Sequence, residues 1–197
     1  MTVFTSQYDA ALPLHETRDG VHIHRVPVSM RVSKGVSMPR FGPQAWGMVK
    51  SADVVHLHLP QFDAPGVAFR GRLFGKPVVL TYHSDLQLPP GNFNRLVDRV
   101  VHTMNRAAGT LADAVVTYTH DFGSHSPYLS RYLDRKLHVI PPPVELAAAS
   151  AEDVAAFRAR HGLDGRLVIG FSARIAAEKG VEVLLDALPQ ILAKHPD

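Results

Sequence analysis

The sequence predicts an α/β protein built on a doubly wound, Rossmann-like parallel sheet, and three observations carry that expectation. Short β-rich runs alternate with helical patterns along the chain. Several of these runs are apolar at consecutive positions, as strands covered on both faces require. Three successive prolines, Pro141 to Pro143, then interrupt the pattern; they cannot continue a strand ladder and stiffen the chain into an extended connector. The domain boundary is expected there. Residues 1–143 would form one Rossmann-like domain, and residues 144–197 a connector and the incomplete beginning of a second.

Taken in order, the expected strands are "VHIHRVPV" from Val21, "DVVHLHL" from Asp53, "PVVLTYH" from Pro77, "DAVVTYT" from Asp113, "KLHVIP" from Lys136 and "RLVIGFS" from Arg166. Between them, Leu96, Val97, Val100, Val101, Met104, Ala108 and Leu111 share one helical face, which predicts a helix over 92–111. "APGVAFRGRLFG", "HDFGSHSPYLSRYL" and "AEDVAAFRARHG" are weaker helical patterns, the last ending at a Gly suited to a left-handed cap. The closing segment places Val183, Leu184, Ala187, Leu188, Ile191 and Leu192 on one face, a helix that needs a sheet to lie on. Repeated strand–helix units imply right-handed crossovers, with ligands held beyond the carboxyl ends of the strands.

Composition sets the outer limits. With 46% hydrophobic and 20% charged residues among 197, the chain is an ordinary globular sequence able to bury a core. The absence of cysteine excludes disulfides, thiolate metal sites and cysteine nucleophiles. No secretory signal opens the chain and no apolar run approaches the ~20 residues that span a bilayer, so a cytoplasmic location is expected. A net charge of +3 without a basic tract gives no reason to expect nucleic acid. Arg25, Arg31, Lys34 and Arg40 fall close together and are expected as a solvated loop.

Several residues sit where chemistry is expected. Arg174 and Lys179 lie between an expected strand and the last helix, whose free N–H groups and positive dipole end favour an anion such as a diphosphate. On spacing alone, two solvated side chains remain the alternative. His83 and Asp85 follow a central strand at the mouth of the expected crevice, where a polar pair can hydrogen-bond a sugar hydroxyl and a phosphate oxygen; a structural histidine is the plainer reading. His56 and His58 alternate and therefore share a strand face. That spacing admits a metal-dependent hydrolase, with His120, Asp121 and His125 as further ligands, although a barrel of that kind needs about 250 residues. No Gly-x-Gly-x-x-Gly loop is present, which counts against a simple dinucleotide dehydrogenase.

"GFSARIAAEKGVEVLLDAL" resembles the start of the C-terminal domain in family-4 glycosyltransferases of the two-Rossmann (GT-B) architecture, and "ADVVHLHLP", "GKPVVLTYHSD", "ADAVVTYT" and "LHVIPPPVE" follow the order of that family's N-terminal domain. The resemblance implies a retaining hexosyltransferase that needs no metal or other cofactor. It takes a nucleotide-diphosphate sugar as donor and a sugar, lipid or small molecule as acceptor, with room for peripheral contact at the inner face of the membrane. Arg174 and Lys179 would hold the donor diphosphate, His83 would act at the reacting sugar, and Asp85 and His58 would shape the acceptor side. The family's connector reads Pro-Asn-Gly-Val-Asp where this chain has Pro-Pro-Pro-Val-Glu, so Glu145 is a looser match. The family also begins with a strand and glycine-rich loop ahead of what resembles this chain's first strand, and carries a Glu-x7-Glu motif in its second domain. An incomplete chain with little activity alone is therefore expected; the rival is an α/β binding remnant without turnover.

Overall fold

A computed structural model describes residues 1–32, 35–86, 88, 90–144, 147–175 and 179–195. The chain divides into two compact units, Met1–Pro143 and Val144–Asp197.

The first unit opens with β1 (Thr2–Gln7), β2 (His15–Arg18) and β3 (Val21–Pro27) in the order β1-β3-β2. β1 runs parallel to β3, and β2 antiparallel to it. Asp19 and Gly20 turn the β2–β3 hairpin, both at positive φ (50° and 76°). Two such residues in succession match the right-handed strand twist, and Gly adopts that conformation without cost. A second hairpin pairs β4 (Met30–Val32) with β5 (Gly35–Ser37). Sequence patterning missed β1, β2, β4 and β5; "HETR" has no apolar alternation, and the three residues of β4 and of β5 are too few to show a period. It also missed α1 (Phe41–Ser51), where Gly42, Pro43 and Gly47 mask the burial of Phe41, Ala45 and Val49 along one face.

Arg25 is not part of the solvated loop that the sequence suggested, whereas Arg31 stays exposed. Arg25 is largely covered on β3, ion-paired with Glu16 of β2, and donates to Pro13 O at 2.8 Å. Arg31 donates to Tyr8 O with its guanidinium 4.2 Å from the Tyr8 ring centroid. Lys34 lies outside the described residues. Cross-strand partners, invisible along the chain, account for the difference.

The strands that matter most form a four-stranded parallel sheet in the order β6 (Val55–Leu59), β7 (Val78–Tyr82), β8 (Ala114–Thr117), β9 (Leu137–Val139). The crossovers are α2 (Ala64–Leu73), α3 (Asn92–Leu111), and α4 (His120–His125) with a 3-10 turn at Leu129–Tyr132. This is a mixed α/β, Rossmann-like domain. Leu57, Leu59, Val78, Leu80, Tyr82 and Val115 are buried with Ala64, Val67 and Ala68 of α2 and Ala108 of α3. Under α3, Tyr82 stacks on Tyr128 at 4.3 Å, and the Tyr128 hydroxyl donates to Asn105 O at 3.0 Å. At the amino ends of the strands, the Asp113 carboxylate accepts from Val78 N–H at 2.8 Å and from Arg72 at 2.5 Å, tying α2 to the sheet.

The second unit contains α5 (Ala151–Arg160) and α6 (Val181–Lys194). Ser150 caps α5 by accepting from Asp153 N–H at 3.0 Å, and Arg158 donates to Leu163 O and Arg166 O beyond the helix end. The strand expected from Arg166 does not form. Its backbone has no partner strand among the described residues of this unit, and Leu167, Val168, Ile169 and Phe171 are exposed. A lone strand leaves its N–H and C=O groups to water, so apolar content alone cannot make one. Glu145 lies outside the described residues. Neither α5 nor α6 buries a side chain, so this unit should open at low cost. Amides across 166–175 and 181–195 are expected to exchange with solvent faster than those across Val78–Tyr82 and Asn92–Leu111; slower exchange would contradict the exposure of these helices.

Candidate functional site

Parallel strands bring their carboxyl ends to one edge, and the side chains there are imidazoles and a phenol. On β6, Val55, Leu57 and Leu59 are buried, so alternation leaves His56 and His58 exposed together on the other face. His83 directly follows β7 and prolongs the ladder, its N–H donating to Leu59 O at 3.0 Å. Tyr118 follows β8. The β7–β8 register pairs Thr81 with Val116, so two residues further on His83 falls opposite Tyr118.

Side-chain contacts follow from that register. His58 Nδ1 and His83 Nε2 are 2.9 Å apart with rings nearly parallel at 17°, and the other nitrogen of His83, Nδ1, meets the Tyr118 hydroxyl. His56 stacks on His58 with centroids 4.6 Å apart, and its Nε2 lies 2.8 Å from Thr81 Oγ1. The result is a row of three imidazoles closed by a phenol. Uncharged, it can donate to phosphate oxygens and both donate to and accept from hydroxyls.

Electrostatics favour the uncharged state. Partial desolvation of the ring, and then repulsion from His58 and His83, hold the His56 pKa below the ordinary imidazole value of 6.5. Partial desolvation, and then His58, do the same for His83. Because each folded pKa lies below the unfolded one, the unfolded chain binds more protons as the pH falls past 6.5. The contribution of these residues to stability is therefore complete above that pH and lost below it. Acidification from pH 7.5 to 5.5 should lower the urea midpoint of the protein more than that of a His56→Gln/His83→Gln double variant. Identical pH responses would show that the imidazole row is not strained by charge.

The remaining expected residues are placed as follows. Asp85 lies two residues past His83, but its Oδ1 accepts from the Tyr82 hydroxyl at 3.0 Å and from Ser126 Oγ at 2.8 Å, and Ser126 Oγ in turn receives the N–H groups of Tyr128 and Leu129 at 3.3 Å. This carboxylate anchors the loop after β7 to the start of the 3-10 turn. Arg174 and Lys179 are exposed in the second unit, Lys179 directly before Gly180, the N-cap of α6, where no side chain caps the first-turn N–H groups. His120, Asp121 and His125 share α4, with His125 Nδ1 3.3 Å from Asp121 Oδ1. Among the described residues no group of three or more His, Asp or Glu is arranged to hold a metal ion. Sequence reasoning missed Tyr118; its signal was present, one residue past a strand end as His83 is. A groove of about 280 Å³ lined by Arg72, Gly75, Lys76, Pro77 and Asp113 lies at the opposite, amino end of the strands. Among the described residues no helix is long and apolar enough to cross a membrane.

A parallel sheet with hydrogen-bonding groups gathered past its carboxyl ends is the arrangement by which Rossmann-like domains hold ligands. Residues 1–143 match the glycosyl transferase 4-like domain, and the chain belongs to that family. It is 29% identical over 168 residues to a D-inositol 3-phosphate glycosyltransferase of Segniliparus rotundus, covering 82% of this chain and 36% of that protein. It is also 29% identical to an alpha-D-kanosaminyltransferase of Streptomyces kanamyceticus (73% of this chain, 39% of the relative). A GDP-mannose-dependent alpha-mannosyltransferase of Mycobacterium tuberculosis is likewise 29% identical, with 89% of this chain and 46% of the relative covered. The chain thus spans less than half the length of these curated relatives.

Proposed function

We propose that this chain is part of a glycosyltransferase that moves a hexosyl group from a nucleotide-diphosphate sugar to an acceptor hydroxyl with retention of anomeric configuration. The observation that carries the reading is the convergence of His58, His83 and Tyr118 past adjacent parallel strands in a domain of this family. In the proposed reaction the bond from the anomeric carbon to the diphosphate oxygen breaks, and the acceptor oxygen bonds to the same face of the sugar. The departing phosphate oxygen takes the acceptor's proton. Arg174 and Lys179 neutralise the charge growing on the diphosphate, which is the electrostatic task such a leaving group sets. His83 contacts the sugar or its phosphate, and His58 borders the acceptor. No metal is required, because the cations are supplied by side chains. The names of the relatives support this breadth of substrate: one acts from GDP-mannose, another is named for inositol 3-phosphate. A sugar, lipid or small-molecule acceptor, and peripheral membrane contact, belong to the same proposal.

Donor binding tests it. The proposed diphosphate contacts of this chain are two exposed cations, so calorimetric titration with nucleotide-diphosphate sugars should give a dissociation constant of ~1 mM, about −4 kcal/mol. Lys179→Ala should abolish the heat. Binding that survives loss of Lys179 would remove the diphosphate assignment.

A further inference from the structure

Past the ends of β7 and β8, the Tyr118 hydroxyl meets His83 Nδ1, while the opposite ring nitrogen, Nε2, lies 2.9 Å from His58 Nδ1. A neutral imidazole carries a single N–H, so only two proton arrangements satisfy both contacts. In the first, the Tyr118 O–H donates to Nδ1 and the His83 Nε2–H donates to His58 Nδ1. In the second, the His58 Nδ1–H donates to His83 Nε2 and the His83 Nδ1–H donates to the phenolic oxygen.

The phenol decides between them. Its O–H is far more acidic than an imidazole N–H, and its oxygen lone pairs are partly drawn into the ring, so it donates well and accepts poorly. An unprotonated imidazole nitrogen is the best acceptor present. Which nitrogen of a histidine carries the proton is set by the hydrogen bond that the other one makes.

We infer that Tyr118 is a positioning residue that locks His83 in its Nε2–H tautomer, so that His83 offers a proton rather than a lone pair to the oxygen it recognises. His58 Nδ1 receives that N–H in the unliganded protein, and a phosphate or sugar oxygen replaces it on binding. The ligand class at His83 is therefore a hydrogen-bond acceptor oxygen. The functional consequence rests on the glycosyltransferase reading; the tautomer itself does not.

Histidine side-chain ¹⁵N spectra of the whole labelled chain test the inference, with the His83 signals identified among the twelve histidines by their loss in His83→Gln. The titratable groups around His83 are His56 and His58 on β6, Tyr82 and Asp85 on β7 and its following loop, and Tyr118 past β8. Wild type should show His83 protonated at Nε2. Tyr118→Phe should lower the ratio of the Nε2–H to the Nδ1–H form by about fivefold, the effect of losing one ordinary hydrogen bond. It should also raise the His83 pKa by about half a unit to one unit, since a donor to the neutral ring favours the neutral form. His58→Gln should leave the Nε2–H form dominant, which keeps the test decisive if Tyr118→Phe does not fold. An Nδ1–H signal in wild type, an unchanged ratio in Tyr118→Phe, or collapse of the Nε2–H form in His58→Gln would each overturn the inference. None of these outcomes depends on donor binding or turnover, so failure of the glycosyltransferase reading would be seen separately in the nucleotide-sugar titration.

Discussion

Replacing His83 by alanine should lower kcat by about 10²-fold, equivalent to about 2.7 kcal/mol of transition-state stabilisation. The measurement belongs in a chimera that joins this chain, Arg174 and Lys179 included, to the segments it does not cover of a longer relative such as the Segniliparus rotundus glycosyltransferase. His83 sits past the end of β7, held by its own N–H to Leu59 O, with both ring nitrogens already directed by Tyr118 and His58. A group fixed in this way contributes little to loose ground-state binding. It contributes more when the sugar–phosphate bond lengthens and charge builds on the oxygen beside it, so the loss should fall on kcat and leave the donor KM nearly unchanged. Lys179→Ala should instead damage both constants, because a diphosphate grip acts on the bound donor as well as on the departing group. Full turnover with alanine at position 83 would make the histidine structural and remove the main site assignment.

The second large effect concerns stability. Gly109→Ala should destabilise the protein by about 2 kcal/mol, although alanine is the better helix former by ~1 kcal/mol. On the buried side of α3, a Cβ at this position would lie well inside contact distance of the Tyr128 and Tyr132 hydroxyls. Tyr128 cannot retreat, since its ring stacks on Tyr82 and its hydroxyl donates to Asn105 O. Accommodation means breaking that bond or shifting α3 off the sheet. Gly47→Ala in α1 is the control: nothing lies within 4 Å of the added carbon, so propensity alone should stabilise by about 0.5–1 kcal/mol. Urea unfolding of both variants decides the matter, and a Gly109→Ala protein as stable as wild type would show that the tyrosine column has room to move.

Much of the architecture follows from the sequence by itself. β3, β6, β7, β8 and β9 were legible because each is a β-rich run bounded by turn residues, and α3 because its seven apolar residues keep one face over about four turns. The shared face of His56 and His58 was legible too, since strand alternation is a property of the backbone and needs no partner. Only the tertiary structure decided what those groups meet. Tyr118 reaches His83 from 35 residues away, Ser126 turns the Asp85 carboxylate from 41 residues away, and Glu16 and Pro13 take Arg25 out of solvent. The segment from Arg166 carries a strand's composition yet forms none, because a strand's hydrogen bonds must be completed by a neighbour that this unit does not present among its described residues. Periodicity records which side of an element is apolar; the partner across the gap is chosen by sheet register and helix packing, which no local stretch of sequence contains.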